Sequence, residues 1–197
     1  MHRPSRPLLQ LLVVLAASRL AVGEVRAQAP QAATICQIQG AGAATPLDGK
    51  LVRVEGVVTG AFGGTDIDGF FIQAPACDAD PATSDGLWVY DGSQDVTVRR
   101  GQRVAVTGRV AEHFTLTEVQ LGKDGLELLG EDGPEIAPVM LDALPADPAA
   151  AAGYLEPFEG MLVGLPIMRV FVAATASGEI YTVPADSPRE RLFRADS

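Results

Sequence analysis

Apolar positions in this chain recur mostly in twos. In Leu51-Val-Arg-Val-Glu-Gly-Val-Val58, Val52 and Val54 alternate with Arg53 and Glu55, the period of a half-buried strand, and Gly56 is placed for a bulge that resets the alternation at Val57. Arg103-Val-Ala-Val-Thr-Gly-Arg-Val-Ala-Glu-His113 repeats the arrangement with Gly108 as the bend, and Phe114-Thr-Leu-Thr-Glu-Val-Gln-Leu121 follows as its partner. Between these long segments, Gly69-Phe-Phe-Ile-Gln73 and Leu87-Trp-Val-Tyr90 are short runs of β-formers. The loop between them holds Pro75, Pro81 and Asp85-Gly86, which cannot continue a ladder. Strands are therefore predicted at 51–58, 69–73, 87–90, 103–112 and 115–121, with Leu126-Glu-Leu-Leu129 as a short edge strand. The fold class predicted is mainly β. Five strands, two of them long and glycine-bent, are the inventory of an OB-type barrel, here spanning residues 34–132.

Beyond residues 133–146, a Gly/Pro-rich linker, the one helical signal is Asp147-Pro-Ala-Ala-Ala-Ala-Gly-Tyr-Leu155. Asp147 is a capping residue and Pro148 suits the first helical position. Phe158-Glu-Gly-Met-Leu-Val163 then echoes Leu47-Asp-Gly-Lys-Leu-Val52, and Gly178-Glu-Ile-Tyr-Thr-Val183 stands to it roughly as Gly69-Phe-Phe-Ile-Gln73 stands to the earlier copy. This predicts a short helix and an incomplete second β unit over 147–183, which must pack on the barrel or pair with another chain. An irregular tail follows at 184–197.

Charge and cysteine content narrow the function. His2, Arg3 and Arg6 precede an apolar run, Leu8 to Ala17, that is too short to span a bilayer, as in an export signal over residues 1–29. Cleavage is expected within 23–29, after Gly23 or after Ala29; an uncleaved anchor or a buried helix is the alternative. Removing residues 1 to 23 takes Arg3, Arg6 and Arg19 and no acid, leaving 12 basic against 25 acidic residues, a net charge of −13. Such a field disfavours capture of nucleic acid by the body as a whole, so any such contact must be local. A secreted or periplasmic location follows, with no membrane association after cleavage. There Cys36 and Cys77 are free to pair as a disulfide, the alternative being two separate thiols.

A family resemblance rests on Ile38-Gln-Gly40, Val54-Glu-Gly-Val-Val-Thr59, Gly69-Phe-Phe-Ile-Gln73, Asp80-Pro-Ala-Thr-Ser-Asp-Gly-Leu87, Tyr154 and Glu159-Gly-Met-Leu-Val163. Over about Ile35 to Val172 the chain resembles the OB-fold accessory region of secreted bacterial nucleases, the YhcR-like and ExeM-like extracellular endonucleases. The resemblance implies a module placed before a metal-dependent endonuclease/exonuclease/phosphatase domain, and this chain is then a truncated or separately encoded front portion. That chemistry uses Asp, Glu, Asn and His around a divalent cation. The chain has no asparagine and, after signal removal, only His113, so no catalytic residue carries over and no activity of its own is expected.

Three residue groups are candidates for binding. Trp88 and Tyr90 share one face of their strand and Leu87 and Val89 the other. If the aliphatic pair is core, the aromatics face outward with Phe71 beside them. With Arg53, Arg99, Arg100, Arg103 and Arg109 nearby in sequence, that face suits single-stranded DNA or RNA, stacked on the rings and tracked along its backbone. The competing reading puts Trp88 and Tyr90 in a minor core beneath the second half of the chain, or against a nuclease domain or partner protein. Asp78, Asp80 and Asp85, with Asp66 and Asp68 approaching, offer oxygens to calcium, although an acidic surface turn is the commoner explanation and no cofactor is required. His113 beside Glu112 has no nucleophile or second carboxylate placed around it, and Ser84 and Ser93 lack the glycines of a nucleophile elbow.

Overall fold

The computed structural model describes residues 29–62, 68–92, 94, 96–141, 144–145, 147–165, 167–170 and 182–185. The expected export signal, Asp66, Ser93, Gly178–Tyr181 and almost all of the tail lie outside the described residues. The chain is mainly β. A six-stranded sheet contains β1 (Gln31–Ala32), β2 (Leu51–Ala61), β3 (Gly69–Gln73), β4 (Gly86–Tyr90), β5 (Arg103–His113) and β6 (Leu116–Gly130), in the order β1-β2-β3-β4-β6-β5. Because β2 also pairs with β5, strands β2 to β6 form a closed ring of pairings, antiparallel except between β4 and β6.

Alternation drives the closure. Val52, Val54, Val58, Phe70, Ile72, Leu87, Val89, Val104, Val106, Val110, Val119 and Leu121 point into one shared core, so each strand has an apolar row turned inward. The predicted bulge at Gly56 is not there: pairing with β5 is unbroken from Leu51 to Val57, and the slip against β3 falls between Val58 and Gly60. Gly56 is needed for close approach instead, since a Cβ on it would sit 3.0 Å from Cβ of Ile72. The predicted bend at Gly108 is not there either: β5 pairs with β2 without a break from Arg103 to Arg109, and the register shift against β6 between Val106 and Gly108 comes from extra residues on β6. The residues after Leu121 do not end a strand. Gly122 to Gly125 bulge out opposite Thr107, and Leu126–Leu129 continues β6 rather than forming a separate edge.

A helix absent from the sequence reading, α1 (Ile35–Gln39), closes one end. Thr34 Oγ1 accepts from Gln37 N and Gln37 Oε1 accepts from Thr34 N, a reciprocal cap that lets five residues hold a turn. Ile35 and Ile38 enter the core. Cys36 is disulfide-bonded to Cys77, tying α1 to the loop between β3 and β4.

The described residues after β6 form an extension on this ring. β7 (Val139–Met140), inside the predicted linker, pairs in parallel with β8 (Val163–Gly164), and Leu141 beside it is buried. Between them, α2 (Pro148–Leu155) is capped by Asp147, whose Oδ1 accepts from Ala150 N at 2.9 Å, and a 3₁₀ turn follows at Glu156–Phe158. β9 (Met168–Val170) and β10 (Thr182–Pro184) form a two-stranded pair. The internal echo is local: Gly49 and Gly160 both turn the chain with φ near 70° (71° and 68°) ahead of β2 and β8, but β8 has only two residues. The extension is bonded to the ring through buried groups. Ser84 Oγ donates to Glu159 O (2.6 Å), Thr117 N to Glu159 Oε1 (2.8 Å) and Leu162 N to Gln73 Oε1 (2.8 Å), while Gly86 and Gly160 meet backbone to backbone. No helix among the described residues is long and apolar enough to cross a membrane.

Candidate ligand face

With Phe70, Ile72, Leu87 and Val89 buried in the ring, β3 and β4 present Phe71, Trp88 and Tyr90 on their outer side, as parity requires. Phe71 and Trp88 are a cross-strand pair with ring centroids 4.6 Å apart. Phe62, at the end of β2, meets Phe71 edge-on at 5.9 Å and Trp88 at 6.2 Å. Close packing changes the expected role of the indole. Trp88 is only 6% exposed, and it lies over Gly69, where a Cβ would come within 2.5 Å of indole Cζ2. It is therefore the floor of an aromatic cluster and not an open stacking surface. Tyr90, at 40% exposure, and Phe62 remain available, and Phe71 is half-buried.

Sequence reasoning missed Phe114. Phe114 and Thr115 form the two-residue turn between β5 and β6, both at positive φ (49° and 66°), a conformation disfavoured for bulky and β-branched side chains. Phe114 is 89% exposed, with His113 against its ring at 4.4 Å. The legible signal was an aromatic and a threonine where a tight hairpin prefers Asn or Gly.

The arginines are not gathered around these rings. Arg53 lies on the part of β2 that pairs with β5, away from β3, and is held between Glu55 (2.6 Å) and Glu127 (3.0 Å), contacts that raise its pKa further. Arg99 pairs with Glu131 at 2.7 Å. The Glu131 carboxyl is held below its usual range by hydrogen bonds from Gln102 and then Arg99. Arg100 and Arg103 are exposed on the β5 side. Arg109 shares an outward row with Tyr90 through Gln120, and its guanidinium donates to Gly49 O. Proximity in sequence misled because ring order, not chain order, sets neighbours on this surface.

Asp78, Asp80 and Asp85 do not converge either. Asp78 Oδ1 accepts from Asp80 N and Thr83 Oγ1, Asp80 Oδ1 accepts from Ala82 N, and Asp85 Oδ1 accepts from Cys77 N at 2.9 Å. Each carboxylate orders its own loop. The one group of potential ligand atoms gathered among the described residues is Cys36, Cys77 and Asp85, and its sulfurs are bonded to each other.

A different acidic group is assembled by the fold. Glu112 Oε2 accepts from Thr45 N and Thr117 Oγ1, while its Oε1 is buried with no hydrogen-bond partner. Burial raises the Glu159 carboxyl above its usual range, against the Thr117 N–H that lowers it, and Glu156 and Glu112 add to the rise. Glu156 is raised by burial and then by Glu112. Glu156 and Glu159 line a cavity of about 360 Å³ with Ala152, Leu155, Phe158 and Val163.

Against known proteins, no family model and no curated protein matches this chain. Among solved structures it is similar to the S. pombe Stn1-Ten1 complex, at 15% identity over 53% of this chain and 80% of that one, TM-score 0.34. It is also similar to a DUF3299 family protein from Pseudomonas aeruginosa PAO1, at 12% identity over 54% of this chain and 100% of that one, TM-score 0.34. Likeness at this level says nothing about what the chain binds.

Proposed function

We propose that the closed ring is an OB-type barrel and that the chain is a non-catalytic module gripping single-stranded nucleic acid on its outer β3–β4 face. In OB folds the second and third barrel strands, with the loops after the first and fourth, take oligonucleotides. One observation carries the reading. In the ring, the exposed aromatics are Tyr90 on the third barrel strand, Phe62 where the first loop begins and Phe114 at the tip of the fourth, three positions of that binding surface. Stacking on aromatic side chains tolerates any base, and Arg109 is the cation best placed to follow the backbone. Its service in an exported nuclease system, positioning substrate for a catalytic domain, rests on the sequence resemblance alone.

The test is fluorescence anisotropy of labelled single-stranded DNA and RNA at low salt, with Tyr90→Ala and Phe114→Ala beside the unaltered protein. Binding should weaken with added salt, and each variant should lose about 1–3 kcal/mol of affinity, the worth of one stacked base. No anisotropy change with either nucleic acid would remove the proposal. Trp88→Ala is the contrasting variant: a floor residue costs stability, about 3 kcal/mol or more.

A second reading, a partner-docking domain without nucleic-acid binding, is favoured by the enclosure of Trp88 and by the carboxylates engaging Arg53 and Arg99. It predicts Tyr90→Ala to be silent in the nucleic-acid assay.

A further inference from the structure

The cavity between α2, the 3₁₀ turn and β8 has a composition unlike the aromatic face. Its walls are Ala152, Leu155, Phe158 and Val163, and two carboxylates, Glu156 and Glu159, stand among them. Behind these lies Glu112 with a buried, unpartnered oxygen. Three acids thus share one region, and no lysine, arginine or histidine among the described residues forms an ion pair with any of them. Burial and mutual repulsion already disfavour the ionised forms of Glu156 and Glu159. A cation entering there relieves that repulsion, and an apolar stem would cover the aliphatic wall that its charged end leaves bare.

We propose that this cavity is a docking pocket for an arginine side chain presented beside an apolar residue by a basic segment of a partner protein. Charge complementarity selects this occupant over a second copy of the chain, because a body with net charge −10 in the full sequence, and −13 without residues 1 to 23, repels itself. It also excludes nucleic acid from this pocket, whose carboxylates oppose phosphate. A planar guanidinium satisfies two carboxylates at once, which an ammonium does with poorer geometry. Leu155 and Val163, each more than a third exposed at the rim, supply the apolar contact for the neighbouring residue. The pocket is distinct from the Tyr90 face, and its occupation does not depend on what that face binds.

The probe is N-acetyl-leucyl-arginine amide, titrated into the full chain and followed by the methyl resonances of Ala152, Leu155 and Val163. The neutral isostere N-acetyl-leucyl-citrulline amide serves as the control. Saturable shifts confined to these methyls are expected with the arginine peptide, at least about tenfold weaker with citrulline and with added salt. Glu156→Gln, at a side chain that makes no hydrogen bond to another of the described residues, should weaken the arginine peptide by a similar factor and leave the Val54, Leu87 and Val106 methyls in place. Tyr90→Ala should leave peptide binding unchanged, which separates this pocket from the nucleic-acid reading. Equal binding of the two peptides, indifference to Glu156→Gln, or shifts elsewhere would overturn the proposal. So would shifts that grow with the protein's own concentration, because a second copy would then be the occupant.

Discussion

The contact between Gly86 and Gly160 joins ring to extension, and Gly86→Ala tests it. A Cβ on Gly86 would lie 2.2 Å from Gly160 C, 2.3 Å from Met161 N and 2.4 Å from Gly160 O, all backbone atoms that cannot rotate aside. The two segments must separate by roughly 1 Å or more to reach van der Waals distance. Moving β4, a strand paired on both sides, would disturb the fully buried Leu87 and Val89, at a cost approaching that of a damaged core, about 2–5 kcal/mol. Lifting the extension instead gives up the hydrogen bonds at Ser84, Thr117 and Gln73, about 1 kcal/mol each once water replaces them, or about 3 kcal/mol together. The extension is therefore expected to lift while the ring stays folded. Urea unfolding followed by tryptophan fluorescence should show the loss, and limited proteolysis should cut between residues 156 and 162 in the variant first. Gly160→Ala should act in the same direction with about 1 kcal/mol more, since its φ is +68°. An unchanged midpoint with an unchanged cleavage pattern would refute this account of the contact.

Reducing the Cys36–Cys77 bond, or replacing both cysteines by serine, removes a link between residues 41 apart. In the chain-entropy model that loop length corresponds to about 4 kcal/mol, and coincident oxidised and reduced unfolding curves would contradict it. Glu156 and Glu159 should make stability fall as pH rises. A carboxyl with a folded pKa above its unfolded value contributes stability that is present below the unfolded pKa and is lost as pH rises through the folded one. Glu131, with its pKa lowered, has the opposite sign, its contribution being present above its unfolded pKa and lost as pH falls through the folded one, so the comparison must be made by variant. Glu159→Gln should flatten the decline between acid and neutral pH in thermal unfolding, and a difference between the two proteins that does not vary with pH would sink the assignment.

The strands were legible where they obey period two: all five ring strands start within a residue of their expected positions, and Leu87 and Val89 face inward as their alternation required. Gly122 to Gly125 looked like a terminator because a four-residue glycine-flanked turn usually is one; here β6 resumes pairing with β5 beyond it. The helix α1 escaped because five residues carry no helical period, although Thr34 and Gln37 spell its cap. The site was harder to read. Parity put Phe71, Trp88 and Tyr90 on one face, but burial of the indole depends on Phe62 and Gly69, which come from a different strand and the far end of a hairpin. The arginines close in sequence were dispersed by the β2–β5 pairing that closes the ring.

The amino-acid sequence by itself determined which segments are the five ring strands, which side chains each of them turns to the same face, the excess of acid over base and a cysteine pair able to oxidise. Those are properties of neighbouring residues or of the sum, and they need no knowledge of distant contacts. Tertiary structure alone decided that Trp88 is covered, that Phe114 stands out at a hairpin tip, and that Glu112 of β5 lies near Glu156 and Glu159 of the extension. The physical reason is that these outcomes depend on ring closure and on where the extension docks, and side-chain alternation carries information about a strand's two faces but none about which strand lies next to it.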